Sequence, residues 1–305
     1  MIADAIASRK PNMGQIFFVA TTAVAGWDEF SSMFPTGPEG NTRVWTTLKG
    51  LLNGSVVTNN GDDVVYVLPN HTESIDAAAA LNFASVNGLT VIGLGEADER
   101  PLFTWITATG ADMEIDSNGV TLENLRLDMT GVDALTGPID VDSSGFTLRD
   151  CEIIHATGTN QAVNCIVGDA NADRFKMERC WVHGTDTAGT VSAIRLNGSD
   201  HFHIKDCYFD GAYKITAGAI QATTAAVGYG LVENCVIINK TASSVATMSF
   251  FRGSTLTVVG CTLSVLSGTT PILIDESTGL GGTGRITTGR NYYRAATTVS
   301  AGTLL

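Results

Sequence analysis

The sequence predicts an all-β fold: a right-handed parallel β-helix solenoid of about 7–8 coils of 26–31 residues, behind an N-terminal cap containing a short helix. Three observations predict it. The first is a recurring phrase: GVTLENLRL, GFTLRDCEI, RFKMERCWV, HFHIKDCYF, GLVENCVII, TLTVVGCTL. Its central Leu or Cys falls at Leu125, Cys151, Cys180, Cys207, Cys235 and Cys261, at spacings of 26, 29, 27, 28 and 26 residues. Weaker copies extend the series to Leu94 and Asn291. The second is alternation. Apolar residues lie three places before that column (Leu122, Leu148, Met177, Ile204, Val232, Val258) and two after it (Leu127, Ile153, Val182, Phe209, Ile237, Leu263), with mostly polar residues between. That is the period of a strand with one interruption, as two short strands joined by a bend would give. The third is the residue just before the column, often Asn124, Asp150, Asp206, Asn234 or Gly260. These types tolerate the left-handed backbone of a tight bend.

Stacked coils turn these columns into ladders about 4.8 Å apart per rung. Leu125 and the five aligned cysteines form an inward core ladder. A second column five places before it holds Val120, Phe146, Phe175, Phe202 and Leu256, broken at Gly230. An earlier alternating run precedes each phrase: MEID, IDVD, AIRL, AIQA, SFF and ILID. On the outside, Glu123, Arg149, Glu178, Lys205 and Glu233 alternate in sign, so stacking would pair opposite charges.

The chain of 305 residues is long enough to bury a sizeable core, and the repeat favours one elongated domain over two. A net charge of −13 argues against a nucleic-acid backbone as partner and against an anionic membrane surface. Charged residues make up only 16%, so neutral polar side chains must cover much of the wall. The six cysteines lack CxxC spacing and accompanying histidines, so they are expected as buried reduced thiols, with no metal and no cofactor.

In chain order, residues 1–88 are expected as the cap, 89–293 as the β-helix and 294–305 as a closing segment. The stretch 1–13 is expected to form a short helix that ends before Pro11. The following GQIFFVATTAVAG superficially resembles a secretion signal, but it is short and preceded by Asp4 and Pro11, so IFFVA is expected as a first strand. No run is long enough to span a bilayer. Asn41-Thr42 would cap a helix over 43–52; VVYVLP is a strand; Thr72–Ala84 is expected as partly helical. GLGGTG (279–284) reads as a loop.

The order of these parts, with GDDVVYVLPNHTESI, GLTVIGLGEADERPLFTW and then the coil phrases, resembles a pectate-lyase-like β-helix family. In particular it is similar to virion-associated β-helix proteins of tailed bacteriophages, over residues 14–293. The resemblance implies a virion component, commonly a trimer, decorating the head or forming part of a spike or fibre. Fold alone does not imply activity.

Catalysis on such a scaffold would need facing carboxylates or a cation site with a nearby base. The candidates are Asp116 with Asp140 and Asp142, or Asp150 with Asp206. The first set reads better as turn residues. The second has Arg179 between its members and reads as a neutralised bend column. His71 and Glu73 read as a structured turn; His155, His201 and His203 have no carboxylate at ligand spacing. No catalytic residue is therefore expected.

One place after the reference column lie Arg126, Glu152, Trp181, Tyr208, Val236, Thr262 and Tyr292. Trp181, Tyr208 and Val236 form an outward apolar stripe, read as a subunit contact, with a sugar platform and cover by a long loop as the other possibilities. The expected function is a non-enzymatic virion structural protein, a homotrimeric capsid decoration or cement protein contacting the major capsid protein or another virion protein. Assembly is expected in the host cytoplasm. The alternative is a tail spike or fibre part that binds or degrades host polysaccharide.

Overall fold

A computed structural model describes residues 14–21, 32–33, 42–54, 56–57, 62–185, 189–214, 218–222, 224–241, 247–251, 254–265, 274–278 and 285–295. The expected N-terminal helix before Pro11, the GLGGTG loop and most of the closing segment lie outside the described residues. Within them, the chain winds into three parallel sheets of eleven, nine and eight strands. Each regular coil contributes one strand to each sheet, and the core fills the tube between them. The fold is the expected right-handed parallel β-solenoid of about eight turns, with very little helix.

The first sheet carries the strands before the reference column, and the second carries those after it. Leu122, Leu148, Met177, Ile204, Val232 and Val258 follow one another rung by rung in the first sheet. Leu127, Ile153, Val182, Phe209, Ile237 and Leu263 do the same in the second. The earlier runs build the third sheet, where Met113, Ile139, Ile166, Ile194, Ile220 and Met248 stack.

Between the first and second sheets the chain turns on one left-handed residue per coil. Asn124, Asp150, Arg179, Asp206, Asn234 and Gly260 have φ of +57°, +53°, +51°, +52°, +53° and +67°. Such a residue rotates the next strand to a new face without spending extra chain. Asn124 adds hydrogen bonds, its Nδ2 donating to the carbonyls of Gly93 (2.9 Å) and Gly95 (3.0 Å). A second left-handed corner joins the third sheet to the next coil's first sheet, at Gly88, Gly119, Gly145, Arg174, His201 and Tyr229.

The core ladder lies where expected: Leu125 and the five cysteines are each 2% exposed or less. All six cysteines are free thiols. Each S–H of the column points at the carbonyl two residues back, at Arg149 (3.2 Å), Glu178 (3.3 Å), Lys205 (3.1 Å), Glu233 (3.2 Å) and Val259 (3.5 Å). Cysteine is thus a small hydrophobe that also supplies a weak donor to the bend. Gly230 breaks the aromatic column because Phe202 fills its place. A Cβ there would overlap the Phe202 ring.

Several expectations are corrected. Thr72–Ala84 is not helical: Thr72–Ile75 and Leu81–Asn82 are strands of the second and third sheets, paired with Leu102–Trp105 and Met113–Ile115. Burial of Ile75 and Leu81 inside the tube overrides the alanine-rich helix propensity between them. The helix begins at Leu48, not Arg43, because Val44–Trp45 pairs as a strand with Phe18–Val19. Val64–Val67 pairs with both Ile16–Val19 and Thr90–Gly93, so strands on either side of residue 88 share the first sheet. Leu94 is only half-buried. Its coil widens over 94–101, and Pro101 takes the column's place, its carbonyl accepting from the N–H of Arg126.

Candidate functional site

The outward face of the second sheet holds the predicted stripe in register: Arg126, Glu152, Trp181, Tyr208, Val236, Thr262 and Tyr292 on successive rungs. Trp181 is 46% exposed and Tyr208 37%. A neighbouring column, two residues further along each strand, does not stand out from the sequence. It carries Ile154, His183, Asp210 and Ile238. The period-2 rule that places Trp181 outward places these outward too. Together they make a wall over four rungs in which apolar and aromatic groups surround two carboxylates, Glu152 and Asp210.

Its charges are spent locally. Glu152, 7% exposed, accepts from Arg100 Nη2 (2.6 Å), Arg126 Nε (3.1 Å) and His183 Nε2 (2.9 Å). Arg126 also meets Asp98 at 3.3 Å. The insertion GLGEADERP therefore serves to send Arg100 and Asp98 across to the foot of the wall. The imidazole of His183 lies flat on Trp181, ring centroids 3.9 Å apart and 20° from parallel. Asp210 is paired with Lys240 at 2.8 Å. The charge-alternating ladder behaves as expected: Arg149 bridges Glu178 (3.1 Å) and Glu123 (3.4 Å), and Lys205 meets Glu233 (3.2 Å).

The carboxylate candidates separate. Asp150 is held by two bonds from Arg179, both 2.7 Å, as a neutralised pair rather than an acid–base partner of Asp206. Asp140 sits beside Glu114 on the third sheet, and Asp116, Asp142 and Asp169 follow the last paired residues of three successive coils. Burial first, then the charges of Asp142, Asp112, Asp169 and Glu114, raise the Asp140 carboxyl to about 6. Asp112, Glu114 and Asp142 shift the same way, each chiefly through burial. Two rungs beyond Asp140, across Val167, stands Arg195, which no sequence pattern marks. Among the described residues no three His, Cys, Asp or Glu side chains converge to hold a metal ion.

The histidines are corrected in detail. Glu73 lies on a strand, not in a loop, and caps the helix by accepting from the N–H groups of Leu48 (2.7 Å) and Lys49 (2.8 Å), with His71 at 3.1 Å. Thr47 completes the cap through Gly50 (3.0 Å). His203 does have a carboxylate partner, Glu233 at 3.0 Å, one coil away. His155 lies within a strand, is wholly buried, meets Thr190 Oγ1 at 2.9 Å and stacks on Tyr213. Burial pushes its pKa down to about 3, so it is neutral. His201 stacks on the exposed Tyr229, centroids 5.0 Å apart.

No family model and no curated protein matches the chain. Solved structures do. A pectate lyase, Pel9A, superposes with a TM-score of 0.55 over 95% of this chain and 78% of its own, at 9% identity. A pectin methylesterase from Aspergillus niger gives 0.54 over 96% and 89%, at 12% identity. Identities this low carry the architecture and not the chemistry. The chain thus has the pectate-lyase-like parallel β-helix fold.

Proposed function

We propose that this protein is a non-enzymatic structural component of a bacteriophage particle, acting as a homo-oligomer, a trimer on the head, that decorates the shell against the major capsid protein. The observation that carries the reading is the wall at Trp181, Tyr208 and Val236. Trp181 and Tyr208 stay partly open to solvent on adjacent rungs while the charges at the wall's foot and edge are paired within the chain. Such a surface suits contact with another protein. The stacked rigid coils suit a mechanical role, and free buried thiols suit assembly in a reducing host cytoplasm. The virion assignment itself rests on the resemblance in the LPNHTE and GLGEADERPLFTW phrases. The test is the copy number of the chain relative to the major capsid subunit in purified particles. Near-stoichiometric abundance is expected; absence from particles overturns the proposal.

A second reading is favoured by Asp140. A carboxyl raised to about 6 beside Glu114 has the protonation of a general acid near neutral pH. On this reading the chain is a spike or fibre part that cleaves host polysaccharide along the third sheet. A few copies per particle, with release of reducing ends from host polysaccharide that Asp140→Asn abolishes, would establish it instead.

A further inference from the structure

The stripe on the second sheet has a counterpart elsewhere on the tube. The left-handed corner between the third and first sheets is glycine at Gly88, Gly119 and Gly145, then Arg174, His201 and Tyr229 on the next three coils. On the coil after that, the equivalent Thr255 is a strand residue. Glycine is the inexpensive choice at positive φ; an Arg, His or Tyr there costs about 1 kcal/mol or more each. All three of the larger residues are exposed, and Tyr229 is 68% exposed with its ring stacked on His201. Strained, solvent-facing aromatic groups contribute little to the fold of their own chain.

Their heights are the informative feature. Arg174 lies on the coil of Trp181, His201 on the coil of Tyr208, and Tyr229 on the coil of Val236. Below these coils both surfaces change together: the corner reverts to glycine, and the wall column becomes Glu152 and Arg126. Above them the wall becomes Thr262 and the corner loses its left-handed residue. The two surfaces lie on different sides of the tube, with the first sheet between them, so one copy cannot bring them together. Copies arranged side by side with parallel axes would match them rung for rung. An Arg, a His and a Tyr are also suitable groups to lay on indole and phenol faces.

We propose that the corner Arg174–His201–Tyr229 of one copy docks on the wall Trp181–Tyr208–Val236 of the next, making a closed head-to-tail ring. This deepens the homo-oligomer reading above and rests on it. Because the two surfaces lie on different sides of the tube, a two-fold dimer cannot make both contacts at once, whereas a head-to-tail contact with parallel axes makes a ring when its rotation closes.

The experiment uses the full chain and two double variants. One is Trp181→Arg with Tyr208→Arg. The other is His201→Gly with Tyr229→Gly, which relaxes the strained corner, so it should melt no lower than the parent. Masses are read by sedimentation velocity. The parent should form a ring, and each double variant should weaken association at least about a hundredfold, as loss of paired aromatic anchors does. Mixing the two variants should yield a dimer with one copy of each, because each retains the surface that the other lacks. A ring that survives the corner substitutions, or variants that fail to combine, overturns this pairing and leaves the homo-oligomer standing. A parent that sediments as a monomer overturns both.

Discussion

Replacing Asp140 by Asn should stabilise the protein at pH 8 and leave it unchanged near pH 4. The carboxyl is raised from 3.8 to about 6 by burial and by neighbouring carboxylates. A group whose folded pKa is raised favours folding while protonated, and that advantage is lost as pH rises through the folded value. Above about 6 the native state therefore carries a disfavoured charge, which Asn removes. A rise of that size corresponds to about 3 kcal/mol at full weight. Asp140 is only partly buried, so solvent screening reduces this to about 1–2 kcal/mol. For a chain of this length that is a rise of roughly 2–4 °C in melting temperature. Melting curves of parent and variant, followed by circular dichroism from pH 4 to 8, check it. The difference should open between pH 4 and 6 and then level off. An equal difference at both ends, or a less stable variant at pH 8, would refute the idea of an unneutralised carboxylate face.

The ladders allow three more tests. Cys207→Asp places a carboxylate inside the tube at a position 2% exposed, where nothing offsets its desolvation; soluble folded protein should disappear, and normal yield would falsify the inward assignment. Gly230→Ala forces a methyl into the Phe202 ring and should cost about 1–3 kcal/mol in urea unfolding; a neutral effect would mean that the ring moves freely. Asn124→Ala loses two hydrogen bonds and keeps a φ of +57°, whereas Asn124→Gly loses only the bonds. The alanine variant should therefore be the less stable by about 1 kcal/mol, and equal midpoints would show that backbone strain at the bend is negligible.

The coils from Val120 to Leu263 were legible because a solenoid applies one steric test at every turn. Positions such as Leu148 and Ile153 must be apolar, and bend positions such as Asn124 and Gly260 must accept positive φ, so a period emerges from composition alone. Arg179 shows the limit: it occupies the same bend at +51° and is recognisable there only through its partner Asp150. The first coils were less legible because their constraints are singular. Glu73 is buried on a strand for the sake of a helix 25 residues earlier, and no local pattern announces such a cap. The Ala-rich stretch after Asp76 has helical propensity, yet the chain needs it to cross from the second sheet to the third. At the wall, Trp181 and Tyr208 stood out by size, whereas Ile154 and Ile238 needed the register. Arg100 reaching Glu152 across two coils is a contact between distant residues that neither phrase contains.

The file of thiols has a use beyond packing. Each cysteine of the column (Cys151, Cys180, Cys207, Cys235 and Cys261) is shut away on its own coil, and burial raises the Cys180 thiol far from its reactive form. A small alkylating reagent can therefore reach one only when its coil lifts from its neighbours. One further layer of strands, Arg285–Gly289 and Tyr292–Ala295, covers the coil of Cys261, and fraying from that end reaches it before the inner coils, so the five sulfurs become a graded set of clocks. Peptide-resolved labelling of the unaltered protein would read them together, with Cys261, nearest the C-terminal end of the stack, marked before Cys180 and Cys207.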